Sequence, residues 1–254
     1  MIPAPMTITC FAAAMFAPCL VVRRGGSSSA TPFVTCQHRT RQKYALDDNT
    51  YVRIITTMAR QSLREKLLDA GFRTIWDSGY AAAGVRDIVA AAAARPGSFT
   101  NHFASKEAFA GEVLDRYFAY VSGLVEKALA QDGTPPIGRL RRYLDLITSK
   151  LEAHDWARGC MIGNLSLETA VHSEPLRLQL VAIFERWRQP FAACIAEGQA
   201  AGDIAKTFEA EDLADFLLSS WQGAMLRMKV ERSPEPLERF KKIIFNTVFA
   251  KETP

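Results

Sequence analysis

Metal and cofactor signatures are missing from this chain. Its five cysteines, Cys10, Cys19, Cys36, Cys160 and Cys194, include no CxxC pair, and its four histidines form no HxxxH or HExxH pattern. A zinc site or a disulfide framework is therefore not expected, and thiols of this kind fit a reducing cytoplasm. There is no P-loop and no GxGxxG, so no nucleotide cradle is indicated. Glu152, His154, Asp155 and Cys160 lie close in sequence but carry no signature of a nucleophile with its base and orienter, so catalysis is not expected. No cofactor is called for. A long apolar run is also lacking. Ile8 to Val22 is too short for a membrane span, has no basic residues before it, and is followed by Arg23-Arg24, the wrong order for an export signal.

Charge of one sign is scarce where it would count. The net charge of +4 comes entirely from residues 1–57, with six basic and two acidic side chains, while the remaining residues hold 25 of each. Bulk charge thus argues nothing for nucleic acid, and any such binding must rest on a local patch. Residues 1–57 also lack a clear hydrophobic period. They read either as an extension without regular structure or as the product of a start codon placed too early, since Met58 opens the helical stretch MARQSLREKLL.

What is present is helical periodicity, with no convincing strand. One helix is expected over about Ala59 to Asp77, its ridge formed by Leu63, Leu67, Gly71 and Ile75, with Leu68, Phe72 and Trp76 beside it and Gly79 as its stop. Val85, Ile88, Val89 and Ala92 recur at i, i+3, i+4 and i+7, one face of a short helix. Arg95-Pro96-Gly97 then opens a second, with Phe99 and Phe103 on its buried face and Ser98, Thr100, Asn101 and His102 left free. Two short helices joined by a tight turn match a helix-turn-helix. Ser105-Lys106-Glu107 caps a long helix to about Ala130. Asp132-Gly133-Thr134-Pro135-Pro136 is the clearest break. Further helices follow over about 137–153, after Gly159-Cys160, over 174–201 with Pro190 bending it, over 209–231 and over 236–249.

Ser62 to Arg116, carrying SLREKLLDAGFRTIWDSGY, VRDIVAAA and GSFTNHFASKEAF in order, resembles the DNA-binding domain of TetR/AcrR-type bacterial transcriptional regulators. The turn has Ala92, Ala93 and Ala94 where that family usually has glycine. Stretches similar to Gly159-Cys160-Met161-Ile162-Gly163-Asn164 occur in TetR relatives too. The resemblance implies an all-α fold, with a three-helix helix-turn-helix domain over residues 58–104 and a helical ligand-binding and dimerisation domain over 105–254. It further implies a repressor that binds a double-stranded, near-palindromic DNA operator as a homodimer in the cytoplasm, away from membranes, and that a small-molecule effector releases. A decayed reading head on the same ligand-binding dimer is the alternative.

On this reading Gly97 allows close approach to DNA, and Ser98, Thr100 and Asn101 bond bases or phosphates. Arg95, His102 and Lys106 meet phosphates, and Arg60 reaches the backbone or minor groove. Trp156, Phe184, Trp187, Trp221 and Met225 offer an apolar lining for the effector. Cys160, beside a glycine at a helix start with Arg158 near, has the surroundings that lower a thiol's pKa and suit an electrophile sensor. Leu213, Phe216, Leu217, Trp221, Ala224 and Met228 along one helix, with Leu237, Phe240, Ile244 and Val248 on the last, are expected to pair across the two-fold axis, the alternative being that these stripes close the monomer's own core.

Overall fold

The computed structural model describes residues 62–251, and among these there are eight α-helices and no strand. They are α1 (Leu63–Ser78), α2 (Val85–Ala91), α3 (Lys106–Ala128), α4 (Pro136–Glu152), α5 (Met161–Thr169), α6 (Glu174–Ala200), α7 (Ala210–Glu231) and α8 (Glu235–Asn246). Arg60, the expected backbone contact, and the whole of 1–57 lie outside the described residues.

Local chemistry sets the helix ends. Ser62, Ser105 and Ser173 are N-caps, their hydroxyls accepting from the backbone N–H of Glu65, Ala108 and Leu176. Each fills one donor that the first helical turn leaves empty. Ser62 is extended, so α1 starts at Leu63 and not at Ala59. Pro136, Pro175 and Pro236 sit in first turns, where the missing N–H costs nothing.

The small head is built on aromatic contacts between α1, α2 and the start of α3. Phe109 lies 5.0 Å from Phe99 and 4.7 Å from Phe103, ring centre to ring centre. Leu67, Ile75 and Ile88 fill the space around them, all fully buried. Arg116 on α3 pairs with Glu65 and Asp69 of α1, and Arg64 pairs with Glu112. In the body, α6 packs along α7, α7 against α8, and α3 against α4, α5 and α6. Tyr143, Phe191 and Trp221 are its largest fully buried side chains.

The stripes expected to pair across a dimer axis are used inside the monomer. Leu213, Leu217, Trp221 and Met228 are buried in the chain's own core, as are Leu237 and Ile244 of α8. Helix α7 is apolar on two faces, and the other carries Phe216, Leu226 and Val230 outward, the last 77 % exposed. With the exposed Ser219 and Gly223 these residues repeat at alternating spacings of four and three, the period of a helix–helix seam.

Gly71 decides how closely α1 approaches α3. A Cβ there would stand 2.2 Å from Phe109 Cζ, and that ring is wedged by Phe99 and Phe103. Glycine inside a helix costs about 1 kcal/mol relative to alanine, so its presence reflects packing. Gly71→Ala should therefore lower stability by about 1–3 kcal/mol despite the gain in helix propensity. Thermal melting followed by circular dichroism checks this; an unchanged or raised midpoint would contradict the packing argument.

Candidate nucleic-acid interface and ligand cavity

Between α2 and the reading segment the chain turns without glycine. Ala94 N–H donates to the Val89 carbonyl and Ala93 N–H to that of Ala90, at 3.0 and 2.9 Å, with Ala93 left-handed at φ +51°. This is a Schellman end built on alanine. It turns the chain as a glycine would, at the steric cost of a Cβ in that conformation.

The segment after it is not the second short helix expected from Arg95 onward. Ser98 N–H donates to the Arg95 carbonyl at 3.1 Å, and Gly97 has φ +86°. With Pro96 second and glycine third, this is a type II turn. Gly97 cannot be helical at that angle, so helical geometry is confined to the single turn in which the Phe99 carbonyl accepts from His102 and Phe103. Phe99 and Phe103 are buried as expected. Arg95, Gly97, Thr100, Asn101 and His102 are exposed together, and Ser98 is half-buried. Thr100 Oγ1 donates to the Gly97 carbonyl at 3.0 Å, which leaves its lone pairs for an outside donor. Lys106 is turned back on the head: its ammonium lies 4.5 Å above the Tyr80 ring and 3.4 Å from the Ala81 carbonyl.

Behind the head, four of the six expected ligand residues meet. Cys160, Trp187, Trp221 and Met225 line one cavity of about 40 Å³, together with Trp76 and Tyr117. That is room for a few waters and no aromatic guest. The indole N–H of Trp221 is buried there without a hydrogen-bond acceptor among the described residues, while that of Trp187 faces the Tyr143 hydroxyl. Burial, with the Cys160 thiol beside it, pushes the Tyr117 phenol well above its usual pKa, and Tyr143 is raised for the same reasons. Phe184 lines instead a neighbouring groove of about 300 Å³, which shares Gly159, Cys160 and Met225 with the cavity. Trp156 lines neither space. It lies in the tight turn after α4, where Asp155 and Trp156 are both left-handed, at φ +50° and +59°.

Cys160 is the N-cap of α5 and is buried, but Arg158 does not serve it. The guanidinium pairs with Asp77 on α1 and lies 4.9 Å above the Trp76 ring. Sequence reasoning placed Trp76 in the head's own core and missed its second role. Its Nε1–H donates to the Gly159 carbonyl at 2.8 Å, while its ring forms a wall of the cavity. Glu168 of α5 makes a second bridge, accepting from Ala81 N–H at 2.7 Å. A Trp beside the core ridge near the end of its helix carries no periodicity signal for such a contact.

A head of two short helical pieces on a supporting helix, joined to a helical body with a small cavity between its helices, defines a helix-turn-helix regulator. Residues 67–113 match the model of bacterial regulatory proteins of the tetR family, and residues 136–244 that of the tetracyclin repressor-like C-terminal domain. The chain is 42% identical over 191 residues to the HTH-type transcriptional repressor DhaR of Mycobacterium sp. strain GP1, covering 75% of this chain and 94% of that one. It is 30% identical to the HTH-type transcriptional repressor NemR of Escherichia coli K12, covering 69% and 88%. Among solved structures, a regulatory protein TetR from Rhodobacter sphaeroides superposes with a TM-score of 0.69 at 30% identity, covering 73% and 98%. The reduced form of E. coli NemR gives 0.66 at 28%, covering 76% and 100%. The chain belongs to the TetR family of bacterial regulators, and it is a DNA-binding transcriptional regulator, not an enzyme.

The alanine turn can be tested directly. Ala93→Gly removes the Cβ from a left-handed residue and should stabilise the protein by about 1 kcal/mol. In a chain of this size that is a rise in melting midpoint of about 2–4 °C. A fall in the midpoint would mean that the left-handed Ala93 is not the conformation in solution.

Proposed function

We propose that the chain is a ligand-responsive repressor. It binds a near-palindromic operator as a homodimer in the cytoplasm, and a small or electrophilic effector entering beside Cys160 releases it. The observation that carries this reading is the shared loop: Gly159 holds the head through Trp76, and the next residue lines the cavity. Whatever displaces Cys160 acts on the residue bonded to α1. The relatives described as repressors support the sign of regulation. Among the described residues no helix is long and apolar enough to cross a membrane.

On this reading residues 58–104 form the reading head and 105–254 the body that binds the effector and dimerises. The exposed Asn101 reads a base edge, as an amide can on adenine, with Gly97, Ser98 and Thr100 closing on the backbone. Arg95 and His102 meet phosphates, while Lys106 positions the loop at Tyr80 and Ala81. The intact Schellman turn and packed Phe99 and Phe103 support a working head over a decayed one. One such head covers few base pairs, so two must act together, and the outward seam of Phe216, Ser219, Gly223, Leu226 and Val230 is the face suited to joining them. The cavity's size limits the effector to a few heavy atoms unless it also opens the groove at Phe184. The effector must favour the DNA-free arrangement by about 1–3 kcal/mol of coupling.

Selection of duplexes from a random-sequence pool by the full chain, followed by anisotropy on the winners, tests the DNA half of this reading. Enrichment of two inverted half-sites, binding of two chains per duplex and a steep loss of affinity with salt are expected. Asn101→Ala should reduce preference for the selected site over random DNA by about 1–3 kcal/mol per head. A pool from which no sequence is enriched would overturn the proposal.

A further inference from the structure

Helix α5 is tied to the reading head at both of its ends. Just before its first turn the Gly159 carbonyl accepts from Trp76 of α1, and in its last turn the Glu168 carboxylate accepts from Ala81 N–H at 2.7 Å. Ala81 lies in the link between α1 and α2, so the two bonds hold the head on either side of the end of α1. They are set apart by roughly the length of α5, about 13 Å at a rise of 1.5 Å per residue. Helix α3 also joins head to body. Attachments along α3 and at one further point leave a rocking motion open, and a third point removes it.

The Glu168 contact is fitted from both sides. An acid in a last helical turn meets the negative end of the helix dipole, an arrangement that α5 by itself disfavours. Glu168 makes no ion pair among the described residues, so its gain lies in the charge-assisted bond to the Ala81 N–H. On the head, Gly79 ends α1 at φ +86°, and a Cβ there would stand 2.6 Å from Glu168 Oε1. The carboxylate therefore lies against a bare Cα, closer than any side chain would allow. The carbonyl of the same Ala81 accepts from the Lys106 ammonium at 3.4 Å, which braces the link from α3. Beyond α5, the Ser173 hydroxyl donates to Glu107 of α3.

We propose that Glu168 is a positioning residue for operator reading. Without touching DNA, it fixes the angle at which each head leaves the body, and so the half-site spacing that two paired chains accept. This rests on the dimeric reading proposed above. A spacer changed by one base pair moves a half-site by about 3.4 Å and turns it by about 35°. A head held at both ends of α5 cannot follow that shift, whereas one held at Trp76 alone can. Base preference within a half-site belongs to the exposed segment around Asn101 and is independent of Glu168.

The test is fluorescence anisotropy of the full chain on its selected half-sites, in duplexes with the spacer lengthened or shortened by one base pair. The unaltered chain should prefer one spacer by at least about tenfold, the scale of one charge-assisted hydrogen bond. Glu168→Ala should cut that preference to about threefold or less. Its discrimination against a single base change inside the half-site should stay within about twofold of the original. Glu168→Gln keeps an acceptor for the Ala81 N–H and should retain most of the spacer preference. An unchanged spacer preference in Glu168→Ala would overturn the proposal. So would an equal loss of affinity on every spacer with the preference kept, which is the mark of general destabilisation. An unaltered chain that selects no paired half-sites would defeat the dimeric reading itself, and the proposal with it.

Discussion

The structure hangs on one tryptophan. Trp76 belongs to the helix that supports the reading segment, yet its indole N–H is bonded to the Gly159 carbonyl of the body at 2.8 Å. Around it stand Phe72 at 5.5 Å and Tyr117 at 5.3 Å, both edge-on, with His154 at 5.9 Å and the Arg158 guanidinium at 4.9 Å. Edge-on aromatic pairs of this kind are worth about 0.5–1.5 kcal/mol each beyond their buried area. The half-exposed Arg158–Asp77 pair contributes little by comparison, about 0–1 kcal/mol. Packing and two directed hydrogen bonds, from Trp76 to the Gly159 carbonyl and from Ala81 N–H to Glu168, therefore hold the head's orientation, and the Arg158–Asp77 pair only trims it.

The loop that accepts this bond is itself under tension. Asp155 and Trp156 are consecutive left-handed residues with Cβ atoms, a conformation that costs each about 1–2 kcal/mol. They are kept there by the Trp156 N–H to Leu151 carbonyl bond at 3.2 Å and by the contacts of Arg158 and Gly159 with α1. The loop's position between the cavity and α1 makes it the natural place for a shift of Cys160 to be passed on, since packed interiors change between discrete arrangements more readily than they stretch.

Most of the helices were legible in the sequence, because their apolar spacing and their caps agree. Ser105 marks one start, Gly79 one stop, and Asp132 to Pro136 the main break, whereas the cap at Ser62 was passed over and the first helix placed too early. Trp187, Trp221 and Met225, read as an apolar surface, do lie together around one cavity, whereas Trp156 does not. The rest failed for identifiable reasons. Gly97 looks like a tolerated helical glycine until its φ of +86° is known, and Ala93 gives no hint that it is left-handed. Helix α7 is apolar on two faces, so periodicity could not say whether Trp221 or Phe216 turns inward. Arg158 is next to Gly159 and Cys160 in sequence, but its long side chain reaches α1, which no local pattern encodes.

On the proposed function, cavity and reading head communicate through Trp76 and Gly159. A double-mutant cycle on operator affinity measures it most directly, with Met225→Phe to crowd the cavity and Trp76→Phe to keep the ring while removing the N–H. If the loop transmits, the effect of Met225→Phe on DNA binding should shrink in the Trp76→Phe background, leaving an interaction energy of at least about 0.5 kcal/mol. Effects that add within about 0.3 kcal/mol would show that the cavity and the head are independent, and would contradict the account.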